Sequence, residues 1–173
     1  MRKLILPIFL SIIFISESIF VELFADDNVL NKIIYAPHFL LISLCLSALF
    51  INRNLSLIYS FVFGFIYDIF YTDILGIYSF LFTLIVYLFS LLMKALNSHL
   101  IVVTIVSLTG IIILEVLVYG ILIIFKDTSM IFSIFIKYRV FPTILLNFCF
   151  MLFLGYLIKK LFVYIKNLNY TDL

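Results

Sequence analysis

The chain has 173 residues, 66% of them hydrophobic and 12% charged, with a net charge of +2. Soluble domains run at about 45–50% apolar and about 25% charged, so the composition excludes an ordinary soluble fold and argues for one polytopic membrane domain over residues 1–173. With no basic patch outside the span ends, nucleic acid is excluded as a partner and the lipid bilayer is the expected surrounding.

A helix of about 20 apolar residues crosses the hydrocarbon core. Six stretches are near or above that length: Leu4–Phe24, Ile33–Ile51, Leu55–Thr72, Leu75–Met93, Leu100–Phe125 and Val140–Ile158. The fold class expected is all-α, a six-transmembrane-helix bundle. The first run follows Arg2 and Lys3 much as a signal core would. It continues to Phe24 with Glu17 and Glu22 inside it, longer than the roughly 7–15 residues of a signal core, and reads as an uncleaved first span. Connections are short except Lys126–Arg139, within which Thr128–Tyr138 is apolar but too short to span. That piece is either interfacial or re-entrant.

Orientation follows from Lys and Arg at alternate ends. Arg2, Lys3, Arg53, Lys94, Lys159, Lys160 and Lys166 share one side, against Lys32, Lys126, Lys137 and Arg139 on the other. The richer side is expected to be cytoplasmic and to hold both termini. Asp73 stands where the fourth helix wants an N-cap, with Gly76 soon after. Pro7 and Pro142 suit the first turns of their helices, while Pro37 lies one turn into the second span and is expected to bend it.

The stretch Ser60–Tyr78 organises the chain. A carboxylate at mid-bilayer costs at least about 2.5–3.5 kcal/mol, and Asp68 lies well inside this apolar run. Ser60, Gly64, Asp68 and Thr72 recur every fourth residue and form one small-and-polar row on a helix. Small residues let membrane helices approach closely, so this row should face protein. Arg139, Thr143, Asn147, Met151 and Gly155 form a second such row.

At about 1.5 Å per residue, Glu17 and Asp68 each lie roughly 20 Å from the proposed inner ends of their helices. Glu115 falls at nearly the same level, with His38 and Arg139 close by along their own spans. The expectation is that the two rows face each other or one interior cavity, with Arg139 as counter-charge for at least one acid. The plainer alternative makes Glu17 or Glu115 a protonated, hydrogen-bonded core acid. His38 reads as a satisfied or interfacial histidine, and His99 as a solvated one at a span boundary.

Cys45 and Cys149 lie inside spans without Cys-x-x-Cys spacing and read as packing residues. Tryptophan is absent, so any interfacial aromatic belt falls to the 11 Tyr and some Phe. No Gly-rich phosphate loop, His-Glu-x-x-His pair or Gly-x-Ser-x-Gly elbow occurs. No catalytic residue, metal site or cofactor is expected.

The run Gly64-Phe65-Ile66-Tyr67-Asp68-Ile69-Phe70-Tyr71-Thr72 and the following Leu75-Gly76-Ile77-Tyr78 resemble the signature of the MreD family of rod shape-determining membrane proteins. Glu17-Ser18-Ile19-Phe20, Pro37, Glu115 and the segment from Arg139 through Pro142 to Asn147 add to the resemblance, in the family's order and at its length. It is closest to the versions of low-GC Gram-positive bacteria. The resemblance implies a non-enzymatic part in cell-wall elongation beside MreC and the cytoskeletal protein MreB, with RodA-type glycosyltransferases and penicillin-binding transpeptidases. It also implies a fold like the S component of energy-coupling-factor vitamin transporters. Two readings follow, a scaffold that binds MreC, or a small-molecule-binding transporter component using a polar cavity in the outer half of the membrane.

Overall fold

The computed structural model describes residues 4–23, 33–72, 74–96, 98–125 and 130–170, with side chains described as far as residue 167. Among these residues the regular structure is helical throughout. The elements are α1 (Ile5–Leu23), α2 (Phe39–Phe50), α3 (Arg53–Tyr71), α4 (Ile77–Ala95), α5 (Leu100–Ile124), α6 (Phe132–Phe135), a π turn (Ile136–Val140) and α7 (Phe141–Tyr170). Five helical stretches are long and apolar enough to cross a membrane, the last running unbroken from Phe132 to Asn167.

The remaining helix, α2, has only 12 residues. It is apolar on all sides, the pattern of a helix surrounded by protein. Every side chain from Leu40 to Ala48 is buried, and α2 packs against α1, α3, α4, α5 and α7. The second span therefore differs from its sequence expectation. Ile33–His38 is not helical, and Pro37 precedes the helix instead of bending it. The cause is local, because a proline disfavours helical backbone in the residue before it.

Between α2 and α3 the chain turns in two residues. The Asn52 side chain accepts the Asn54 and Leu55 amides at 2.9 and 3.2 Å, which starts α3 at Arg53. Ser47 and Ser56 hydroxyls meet at 2.7 Å and tie the two helices together. Further along, α3 and α4 come into backbone contact. A Cβ placed on Gly64 would lie 2.6 Å from Ser79 Cα, so glycine is required there. Gly76 precedes α4 with φ of 106°, a left-handed conformation that glycine adopts without strain. The cap expected at Asp73 lies outside the described residues.

At the far end of the chain, Thr128 is outside the described residues, but Phe132–Tyr138 is helical and continuous with α7 through the π turn. Pro142 therefore sits within a longer helix and not at its start. At about 1.5 Å per residue, the 36 residues from Phe132 to Asn167 extend about 54 Å, well beyond the roughly 30 Å hydrocarbon core.

Candidate functional site

Most of the buried acids and their partners gather around two of the places where the backbone is not in a continuous helix. In lipid an unpaired backbone N–H or C=O costs several kcal/mol, so such places need partners from the protein itself. The sequence supplies those partners from neighbouring helices.

The first place is Ile33–His38. Ile34 N–H donates to the Tyr138 carbonyl at 2.7 Å, Ala36 N–H to Thr143 Oγ1 at 3.1 Å and His38 N–H to Asn147 Oδ1 at 2.9 Å. Alternate amides thus point to α7, as expected of an extended segment laid along the helix. Asn147 also donates from Nδ2 to the Ala36 carbonyl at 3.1 Å and to the Thr143 carbonyl at 2.8 Å. Both Thr143 and Asn147 are completely buried. Glu17 of α1 then accepts the Leu40 amide at 2.9 Å, capping α2 from another helix.

The second place is the α3–α4 turn. Asp68, itself fully buried, accepts the Tyr78 amide on Oδ1 at 2.7 Å and the Gly76 and Ser79 amides on Oδ2 at 3.1 and 3.0 Å. These amides belong to the first turn of α4, where donors have no partner within the helix and the backbone dipole favours a negative charge. Thr72 closes the same corner, its one hydroxyl proton shared between the Asp68 and Ile74 carbonyls, each 3.0 Å from Oγ1.

Glu115 of α5 is used differently. Its Oε1 lies 2.8 Å from His38 Nε2 and its Oε2 accepts from Arg139 Nε at 2.7 Å. A carboxylate only accepts, so Nε2 of His38 carries the proton in this contact. His38 and Glu115 are buried, whereas Arg139 keeps about a quarter of its side chain accessible. Glu115 thereby joins α5, the lead-in to α2 and the π turn before α7.

The structure thus brings His38, Glu115 and Arg139 together and sets Glu17 near them through the first turn of α2. Asp68 is apart, and its partners are backbone amides and not Arg139. The two polar rows do not pack face to face. The Asp68 row lies against α4, and the Arg139 row against Ile33–His38, but Thr72 and Arg139 line one cavity of about 170 Å³ with Tyr71 and Tyr78. Ser60 is buried and donates to the Ser56 carbonyl at 2.6 Å, while Gly64 and Gly76 stand at the α3–α4 contact and turn. Pro142 is buried beside Thr143.

Reading the sequence missed the extended lead-in and its use of Tyr138, Thr143 and Asn147. The Ala36-Pro37 pair was the available signal for the lead-in. Asn52, in the position of an N-cap before α3, was missed also.

A helical bundle of membrane-spanning length, with buried acids serving backbone amides of neighbouring helices, defines a multi-pass membrane protein braced from within. The sequence model described as rod shape-determining protein MreD matches residues 2–165. The rod shape-determining protein MreD of Bacillus subtilis (strain 168) is 37% identical over 147 residues, covering 85% of this chain and 86% of that protein. The chain belongs to the MreD family of rod shape-determining membrane proteins. No solved structure matches it.

Proposed function

We propose that the protein is a non-catalytic scaffold of the cell-wall elongation machinery. In this reading it lies in the bacterial plasma membrane with both termini cytoplasmic, binds MreC, and helps couple the MreB cytoskeleton to a RodA-type glycosyltransferase and a penicillin-binding transpeptidase. Family membership supports the place of action. The observation that carries the scaffold role is the employment of the buried acids. Glu17 and Asp68 hold helix starts and Glu115 joins three segments, so the polar interior serves one fixed shape. Outside that frame, large apolar side chains such as Phe61, Phe70, Phe80 and Phe153 stand exposed for lipid or neighbouring helices.

The orientation rests on Arg53, Lys94 and Lys159, which lie at the bundle end opposite His38 and Arg139. There Arg53 stacks over Tyr87 at 4.6 Å and Lys159 over Phe50 at 5.3 Å. Crosslinking and co-purification from native membranes test the scaffold. Recovery of MreC and wall synthases, with rounded cells on depletion, is the expected result. Recovery of an ATPase-driven transport module or a retained small molecule would replace the scaffold with the transporter reading.

A further inference from the structure

Where Ile33–His38 lies along α7 there is an open groove of about 530 Å³. Ile33, Tyr35, Lys137, Tyr138, Phe141 and Leu145 are among the residues that line it. The amides of Ile34, Ala36 and His38 meet the π turn at residue 138 and α7 at residues 143 and 147 in that order, so the extended segment and the helix run in the same direction. Ile33 and Tyr35 therefore lie at the Lys137 end. Leu145, eight residues further along the helix, is about 12 Å deeper.

The groove thus has a graded polarity, with a cation and two tyrosines at one end and an apolar trough beyond. Lys137 is exposed, sits 5.4 Å from the Tyr138 ring centroid, and has no acid partner among the described residues. A partner helix fits poorly, since close helix packing in membranes relies on small residues and these walls carry Ile, Tyr, Phe and Leu. A water-soluble ligand would meet little polarity past the Lys137 end. A phospholipid matches both ends of the gradient, because its phosphate complements an ammonium that has no acid partner among the described residues and its chain suits the trough.

We propose that this groove is a binding site for one anionic phospholipid, its phosphate at Lys137 and an acyl chain laid along Phe141 and Leu145. The site does not depend on the scaffold reading.

The test uses the full chain, purified and incubated with phosphatidylglycerol or phosphatidylcholine, with retained lipids counted by native mass spectrometry. The wild type is expected to keep one phosphatidylglycerol per chain in preference to phosphatidylcholine. Lys137→Gln should lower that preference about fivefold, the worth of one basic side chain at an anionic surface. Leu145→Trp should fill the groove and reduce retention of both lipids. Lys137 and Leu145 are both exposed, so neither change disturbs the core. Equal retention of the two lipids by the wild type would overturn the proposal, as would an unchanged preference in Lys137→Gln. So would a photo-crosslinker at position 145 that captures a protein in native membranes instead of a lipid.

Discussion

The Ile34 amide donates to the Tyr138 carbonyl at 2.7 Å, four residues before Pro142. In a regular helix that carbonyl would accept the amide of residue 142, but proline has none. The helix passes through a π turn at this point, and the freed acceptor holds the lead-in to α2. Pro142 is thus a cause of a hydrogen bond between the extended lead-in and the π turn, in which it takes no part. Pro142→Ala supplies a competing amide. Faster hydrogen exchange at the Ile34 amide is the expected outcome, and unchanged protection there would count against this account.

Asp68→Asn tests the cap on α4. Asp68 accepts three backbone amides with two oxygens. Asparagine has one acceptor oxygen, and its NH₂ would confront a buried amide donor. Unpaired buried groups cost about 1–3 kcal/mol each, so a loss of about 2–4 kcal/mol is expected on unfolding in denaturing detergent. Stability equal to wild type would show that the backbone amides are satisfied some other way.

Glu17 makes a lighter demand, because its Oε2 accepts the single Leu40 amide at 2.9 Å. Glu17→Gln keeps an acceptor for Leu40 and should change stability by less than about 1 kcal/mol, whereas Glu17→Ala should cost about 1–3 kcal/mol. Equal loss in both variants would place the need on charge and not on capping.

The ion pair of Glu115 with Arg139 calls for a double-mutant cycle. Removing one partner of a fully buried pair costs about 3–5 kcal/mol, and the lower end applies here, because Arg139 is partly accessible and Glu115 keeps its contact with His38. Arg139→Gln and Glu115→Gln should each destabilise strongly, and the double variant by less than their sum. Additive losses would mean that the contact contributes nothing of its own.

Gly64 meets the backbone of α4, where even one added carbon would approach Ser79 Cα to 2.6 Å. Backbone cannot yield as a flexible side chain can. Gly64→Val should separate α3 from α4 and remove folded protein, read as loss of the monodisperse peak in size-exclusion chromatography. A well-folded Gly64→Val protein would refute the close approach.

The sequence alone determined the helical membrane character and the approximate place of five spans. Length, hydropathy and rise per residue are properties of one segment at a time, so they can be read without knowing its neighbours. It also singled out Gly64 and Asp68 as one row, since helical periodicity is local. The assignment of partners was a tertiary matter. Asp68 finds amides eight to eleven residues ahead, and Glu17 finds Leu40 across a connection. Cost in lipid says only that a buried acid needs a donor, and backbone amides at a broken helix serve as well as an arginine. Which helices are interrupted, and what stands beside each interruption, is decided only when the bundle closes around α2.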